Sequence, residues 1–212
     1  MVKIVAIVNT KGGAGKTTTA TNLACQLHSE GDSVILVDLD SDQGSASSWS
    51  AEQTAEDTFP VIRMGKNIAR DLHKVAKGYD WAIIDGAPRV DELAALAVKA
   101  ADLVIVPSTP SPYDVWASNN VVDIIKVRQE ITDGKPKAAF LVTMVIKNTK
   151  LSKEVNEALA SYDLPVFKAK TTRSVSYIET AKYGGSVIDL GENHPCAIEM
   201  RQIAKEVREY FL

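Results

Sequence analysis

A glycine-rich turn near the start of the chain, Lys11–Thr18, constrains the fold more than any other feature. It follows an apolar run, Val2–Val8, and leads into an amphipathic stretch that begins near Thr18. Glycines allow backbone N–H groups to close around an anion, and the amino end of a helix adds a favourable partial charge. A strand, a glycine turn and a helix start in this order predict a phosphate cradle that binds a nucleoside triphosphate.

The turn departs from the common phosphate-loop pattern G-x-x-x-x-G-K-[ST], because Thr10 stands at the first glycine position and a second lysine, Lys11, follows it. We expect Lys16 to reach the β and γ phosphates and the Thr17 hydroxyl to ligate Mg²⁺. Lys11 has no evident role within its own chain; the simplest alternative is a solvated turn lysine. The predicted nucleotide contacts are Lys11, Gly12, Gly13, Ala14, Gly15, Lys16, Thr17 and Thr18.

Aspartates follow two of the apolar runs. Asp38, Asp40 and Asp42 come after the second run, and Asp85 closes the run that begins at Trp81. A carboxylate at a strand end can hold a Mg²⁺-bound water, and another can orient the water that attacks the γ-phosphate. Asp85 suits the first role, while Asp38 is either structural or bound to Mg²⁺ through water. Aspartates at strand ends also serve as turn formers or helix caps.

Apolar runs of strand length alternate with amphipathic stretches along the chain. The runs are continuous, as expected for parallel strands covered on both faces, and comprise Val34–Val37, Trp81–Ile84, Leu103–Val106 and Ala139–Val142. Helical spacing covers Thr18–His28, Ala69–Val75, Asp91–Ala101, Ala117–Gln129 and Leu151–Leu159. This order predicts an α/β fold with a doubly wound, mostly parallel sheet, helices on both faces and ligands at the carboxyl ends of the strands.

Composition favours one cytoplasmic domain over residues 1–212. The hydrophobic fraction of 45% excludes wholesale disorder, and no long apolar span or signal pattern is present. Cys25 and Cys196 lack the spacing of a zinc or iron–sulfur site. The net charge of −3 means that any contact with nucleic acid requires a local basic patch.

The glycine turn with its two lysines resembles the deviant Walker A ATPases of the ParA/MinD superfamily. Two more segments support the resemblance: Ala101–Trp116, with Pro110-Ser111-Pro112-Tyr113-Asp114, and Arg173–Ala181 followed by Gly184-Gly185. The chain is most similar to short ParA partition ATPases, which lack an N-terminal helix-turn-helix domain. At the other end, Ile198, Ile203, Val207 and Phe211 repeat at helical spacing, which favours a final packing helix over a membrane anchor.

The resemblance implies a mechanism and a set of partners. Lys11 would cross an interface to the nucleotide of the other subunit in an ATP-dependent homodimer, so that Lys11, Lys16 and Asp40 form the catalytic set with ATP and Mg²⁺ as cofactors. Asp40 matches the aspartate that positions the hydrolytic water in this superfamily. Because Ser41 replaces the usual proline, the register after Asp40 is open and Asp42 is a rival candidate.

For a ParA-like protein the resemblance further implies slow ATP hydrolysis, stimulated by a centromere-binding, ParB-like adaptor, and nonspecific DNA binding that places the ATP-bound form on the nucleoid. Several cations on one face suffice for phosphate contacts without base readout. The candidates are Lys147, Lys150, Lys170 and Arg173, although dispersed solubilising charge explains individual lysines equally well. Arg173 lies either near the adenine or on the DNA face.

Two alternatives to plasmid or chromosome partition remain from the sequence. One is a related positioning ATPase for a conjugation, chemoreceptor or microcompartment system. The other is a ligase of the dethiobiotin-synthetase type, which uses a related loop but requires a substrate pocket for which the sequence offers no clear candidate.

Overall fold

A six-stranded sheet forms the centre of the fold, and every hydrogen-bonded pair of its strands is parallel. The computed structural model describes residues 1–40, 44–55, 58–146, 149 and 151–212, the side chains of 151–153 excepted. The strands are β1 (Lys3–Ile7), β2 (Val34–Asp38), β3 (Val61–Arg63), β4 (Trp81–Asp85), β5 (Leu103–Ser108) and β6 (Lys137–Val142). Their spatial order is β3-β2-β4-β1-β5-β6.

Helices cover both faces of this sheet. They are α1 (Lys16–Ser29), α2 (Ser45–Ala51), α3 (Ile68–Val75), α4 (Asp91–Ala100), α5 (Pro112–Ala117), α6 (Asn119–Glu130), α7 (Leu151–Ala160), α8 (Ser176–Ala181) and α9 (Pro195–Glu209), with a 3₁₀ helix at Val187–Leu190. Side chains of α3, α4, α6 and α7 pack on one face, and those of α1, α2, α8 and α9 on the other. The predicted doubly wound α/β fold is confirmed.

Continuous apolar runs form the interior strands, as predicted. Every residue of β2, β4 and β5 is buried, because parallel strands between two helical layers expose neither face. The strand β3 is absent from the sequence prediction: it has only three residues, all partly exposed, and so gives no apolar run.

The helices differ from the prediction in several places. The predicted helix Ala117–Gln129 corresponds to α6, which begins two residues later at Asn119, and the short helices α2, α5 and α8 were not predicted. Helix α2 packs through Trp49, whose indole N–H donates to the Gly185 carbonyl oxygen over 2.9 Å. These short helices carry too few apolar positions to show a helical period.

Helix α9 lies against α1 and the sheet, as the sequence favoured. Ile203 and Val207 are fully buried, and the Phe211 ring meets the Trp81 ring edge to face. Ile198, in contrast, is largely exposed. Within the described ranges, no helix has both the length and the apolar character needed to cross a bilayer.

Strand register places the ends of three strands in one row. Asp85 of β4 stands opposite Ile7 of β1 on one side and Asp38 of β2 on the other. The segment that follows β1 is the glycine turn. The parallel sheet therefore brings the carboxylates that end β2 and β4 to the edge at which this turn begins.

Candidate functional site

The glycine turn runs from the end of β1 to the first residue of α1 and is held from two sides. On one side Asn9 accepts a hydrogen bond from the Lys11 N–H (3.0 Å) and donates to the Pro107 carbonyl (2.8 Å). On the other side the Thr143 hydroxyl donates to the Ala14 carbonyl oxygen over 2.9 Å. Gly15 precedes α1 with φ +89°, a conformation that costs other residues free energy. The turn is thus preorganised before any ligand binds.

Lys16 points into this turn. Its side chain is almost fully buried, and its ammonium group donates to the Lys11 carbonyl oxygen over 2.9 Å. Burial lowers the pKa of Lys16, while the negative charges of Asp85 and Asp40 oppose that shift. A lysine held in this way is placed to bind phosphate oxygens on the inner side of the turn.

Asp85 provides a buried carboxylate beside Lys16. Burial, with smaller contributions from the charges of Asp38 and Asp40, raises the pKa of Asp85 to about 7 despite a hydrogen bond from the Thr17 hydroxyl. Among the described residues, its Oδ1 atom has no hydrogen-bond partner. A buried acceptor without a donor costs free energy, and a Mg²⁺-bound water would supply that donor. Thr17 and Asp85 therefore fit the predicted Mg²⁺ position.

Asp38 uses both carboxylate oxygens within the chain. Oδ1 accepts from the Asp40 N–H over 2.9 Å, and Oδ2 accepts from the N–H (2.9 Å) and the hydroxyl (2.7 Å) of Ser47. Asp38 is itself buried. It therefore anchors the backbone on both sides of the segment that includes Asp40, whatever contact it also makes with a Mg²⁺-bound water.

Six of the eight predicted nucleotide contacts line one cleft of about 230 Å³ together with Asp40, whereas Lys11 and Ala14 do not line it. Its walls comprise Gly12, Gly13, Gly15, Lys16, Thr17, Thr18, Asp40, Ser45, Gly86, Pro88 and Met144. Met144, two residues beyond β6, was not predicted, because no motif includes it; its terminal methyl group lies close to Gly15 of the turn. The rival candidate, Asp42, lies outside the described residues.

Lys11 lies on the outer side of the turn and has a partner in its own chain. Its ammonium group forms an ion pair with Asp114 of α5, and the side chains are 37% and 7% exposed, respectively. The Thr109 hydroxyl donates a hydrogen bond to the same carboxylate. Lys11 therefore has an anionic partner within its own chain that the sequence did not indicate, and this cation offsets the cost of burying the carboxylate of Asp114.

The four predicted DNA-contacting residues are only partly described. Lys147 and Lys150 lie outside the described residues. The Lys170 ammonium donates to Asn156 over 3.1 Å, and burial lowers the pKa of Lys170. Arg173 is exposed and lines a cleft of about 530 Å³ with His194 and the start of α9.

Comparison with known proteins identifies the family of this chain and relatives with a similar fold. The profile of the CobQ/CobB/MinD/ParA nucleotide binding domain matches residues 5–187. The maintenance of carboxysome distribution protein A of Gloeobacter kilaueensis is 31% identical, over 97% of this chain and 94% of that protein. The chromosome-partitioning ATPase Soj of Thermus thermophilus is 28% identical, over 97% and 95%. Among solved structures, the Mg-ADP complex of the septum site-determining protein MinD from Pyrococcus horikoshii shares the fold, with a TM-score of 0.73, 19% identity and 98% and 96% coverage.

These matches confirm the recognition made from the glycine turn and the two further segments. They also confirm the prediction of an ATPase with ATP and Mg²⁺ as cofactors. The profile covers the turn, Asp38, Asp40 and Asp85 together. The chain belongs to the CobQ/CobB/MinD/ParA nucleotide-binding family.

Proposed function

We propose that this chain is a ParA-like positioning ATPase, a single domain over residues 1–212, whose ATP-bound form is a homodimer. In that dimer Lys11 of each subunit contacts the nucleotide of the other. The position of Lys11 is the observation that supports this proposal. The turn carries two lysines. Lys16 is buried on the inner side of the turn, whereas Lys11 is partly exposed at the outer edge of the turn.

Association requires the ion pair between Lys11 and Asp114 to break, which costs free energy. To reach a phosphate of the partner subunit, the Lys11 ammonium must exchange one anionic partner for another. A nucleoside triphosphate carries more negative charge than a diphosphate, so ATP compensates for the lost ion pair better than ADP does. Dimerisation therefore depends on which nucleotide each subunit holds.

Sedimentation velocity with ATP and with ADP tests the dimer. We expect Lys11→Ala to retain nucleotide binding and to lose the ATP-dependent dimer, and Lys16→Ala to lose nucleotide binding itself. Lys126→Ala is the matched control, because Lys126 is 42% exposed and also pairs with a carboxylate, that of Asp163. An undiminished ATP-dependent dimer in folded Lys11→Ala would contradict the proposal.

Hydrolysis within the proposed dimer assigns separate roles to the carboxylates. Asp40 would orient the attacking water, and Thr17 and Asp85 would hold Mg²⁺, Asp85 through water. We expect Asp40→Ala to bind ATP and to hydrolyse it far more slowly, as measured by phosphate release. Normal hydrolysis by Asp40→Ala would transfer the role to Asp42 or to neither residue.

Cargo and partners follow from the same family. We propose cytoplasmic ATP-bound dimers that bind nonspecific DNA of the nucleoid through cations such as Lys170 and Arg173, and a ParB-like adaptor that stimulates hydrolysis. The cargo is a plasmid or chromosome; a microcompartment is the second candidate, because the Gloeobacter relative is named for carboxysome distribution.

DNA-stimulated ATP turnover separates both from a ligase of the dethiobiotin-synthetase type. Stimulation by the product of a neighbouring reading frame identifies the adaptor.

A further inference from the structure

Arg63 ends β3, the strand that the sequence pattern did not predict, and its guanidinium group reaches the start of α2. The register of the sheet pairs Arg63 with Asp38, and the Met64 N–H donates to the Asp38 carbonyl oxygen over 3.1 Å. From this position Arg63 Nε donates to the Ser47 hydroxyl oxygen over 2.9 Å. Arg63 is thus fixed beside the chain segment that leaves β2.

Ser47 connects Arg63 to Asp38. Its hydroxyl oxygen accepts from Arg63 and donates to Asp38 Oδ2 over 2.7 Å, and its N–H donates to the same oxygen over 2.9 Å. Asp38 Oδ1 then accepts from the Asp40 N–H over 2.9 Å. Hydrogen bonds therefore join Arg63 to the backbone of Asp40 through two intermediate side chains.

The guanidinium group also restrains the far end of the segment that begins at Asp40. The Gly44 N–H donates to the Asp40 carbonyl oxygen over 2.8 Å. Gly44 has φ +56°, and a Cβ atom there would collide with the guanidinium of Arg63. Glycine adopts this conformation more readily than other residues do. Arg63 therefore acts on both ends, through Asp38 at Asp40 and by direct packing at Gly44.

We infer that Arg63 is a positioning residue that holds Asp40 at the phosphate cleft through Ser47 and Asp38. The inference rests on the proposed role of Asp40 in hydrolysis. Arg63 does not line the cleft that holds the phosphate-contacting residues, so it acts on the rate of hydrolysis through Asp40 and leaves nucleotide affinity unchanged. Ser47 is the essential intermediate, because its hydroxyl both accepts from Arg63 and donates to Asp38.

Amide hydrogen exchange in the nucleotide-free protein tests the positioning directly. We expect Arg63→Ala to accelerate exchange at the Asp40 and Ser47 N–H groups about fivefold, the effect of losing one hydrogen bond of about 1 kcal/mol. Ser47→Ala should do the same, whereas Ser47→Thr, which keeps the hydroxyl, should restore protection. Arg70→Ala is the matched control, because Arg70 is an exposed arginine on the neighbouring helix α3 and pairs with Asp71.

Steady-state ATP hydrolysis provides the second measurement. We expect kcat of Arg63→Ala to fall about fivefold with KM for ATP unchanged, and Arg63→Ala to add nothing in a Ser47→Ala background. Wild-type exchange rates at Asp40 and Ser47 in Arg63→Ala would overturn the inference, as would a raised KM with kcat unchanged. Two other measurements test the proposed function independently of Arg63. Normal hydrolysis by Asp40→Ala would show that Asp40 does not have the proposed role. An undiminished ATP-dependent dimer of Lys11→Ala would show that the dimer proposal fails.

Discussion

At the residue scale, two lysines of one turn have different partners and different tasks. The Lys16 ammonium group donates a hydrogen bond to a backbone carbonyl oxygen of the same turn, and Lys11 neutralises the buried carboxylate of Asp114. A buried carboxylate that loses its cation is destabilising, whereas replacing both partners removes the penalty. Lys11 therefore contributes to the stability of the single subunit as well as to the proposed dimer.

A double-mutant cycle measures this contribution. We expect Lys11→Ala to lower the free energy of unfolding by about 2 kcal/mol, because the buried carboxylate of Asp114 then loses its cation and, among the described residues, retains the Thr109 hydroxyl as its donor. In an Asp114→Asn background the same change should cost much less. Urea unfolding of the nucleotide-free protein checks both values, and equal costs in the two backgrounds would show that the ion pair does not couple the two residues.

Cys25 offers a second residue-scale prediction. Burial raises the pKa of its thiol to about 12. At pH 8 very few molecules then carry a thiolate, the form that reacts with iodoacetamide. We expect slow alkylation of the native protein, followed by mass spectrometry, and rapid alkylation in denaturant. Rapid labelling of native Cys25 would contradict this environment.

At the scale of elements, the carboxyl end of β6 supports the phosphate-binding turn. The hydroxyl of Thr143 is the contact, through its hydrogen bond to Ala14, and the Thr143 N–H donates to the Ser108 carbonyl oxygen of β5 over 2.9 Å. The neighbouring strands β5 and β6 thus position the glycine turn that follows β1. This arrangement explains why the turn keeps its shape although three of the four residues 12–15 are glycines.

Removing the Thr143 hydroxyl tests this support. We expect Thr143→Val, which keeps the shape of the side chain, to weaken nucleotide binding about fivefold by leaving the Ala14 carbonyl without its donor. Thr143→Ser keeps the hydroxyl and is the control. Isothermal titration with ATP and Mg²⁺ measures both, and equal affinities for the two variants would exclude a role for the hydroxyl.

At the scale of the whole molecule, the sequence predicts those parts of the fold that depend on local pattern. Continuous apolar runs such as Val34–Val37 identify the buried strands, and the glycine turn identifies the phosphate site. The ion pair of Lys11 with Asp114 and the contact of Arg63 with Ser47 join elements distant in sequence, so neither produces a local period or motif. The strand β3 was missed for the same reason, because pairing with β2 rather than composition defines it.

The proposed binding of DNA by the dimer predicts a dependence on salt. If Lys170 and Arg173 of both subunits contact phosphates, the logarithm of the affinity should fall with the logarithm of salt concentration with a slope of about −3.6. Arg173→Ala should then reduce the slope by about 1.8. Fluorescence anisotropy with duplexes of unrelated sequence checks this. A variant that instead loses affinity for ATP would place Arg173 at the adenine.

The bond from the Trp49 indole to Gly185 ties α2 to the segment after α8. Helix α2 begins one residue after Gly44, so we expect a rearrangement that travels along the backbone from the phosphate site to shift this aromatic ring relative to its carbonyl acceptor. Indole emission responds to such a change in polarity and bonding. We expect the emission of Trp49, once separated from that of Trp81 and Trp116, to report nucleotide loading in real time without an attached dye.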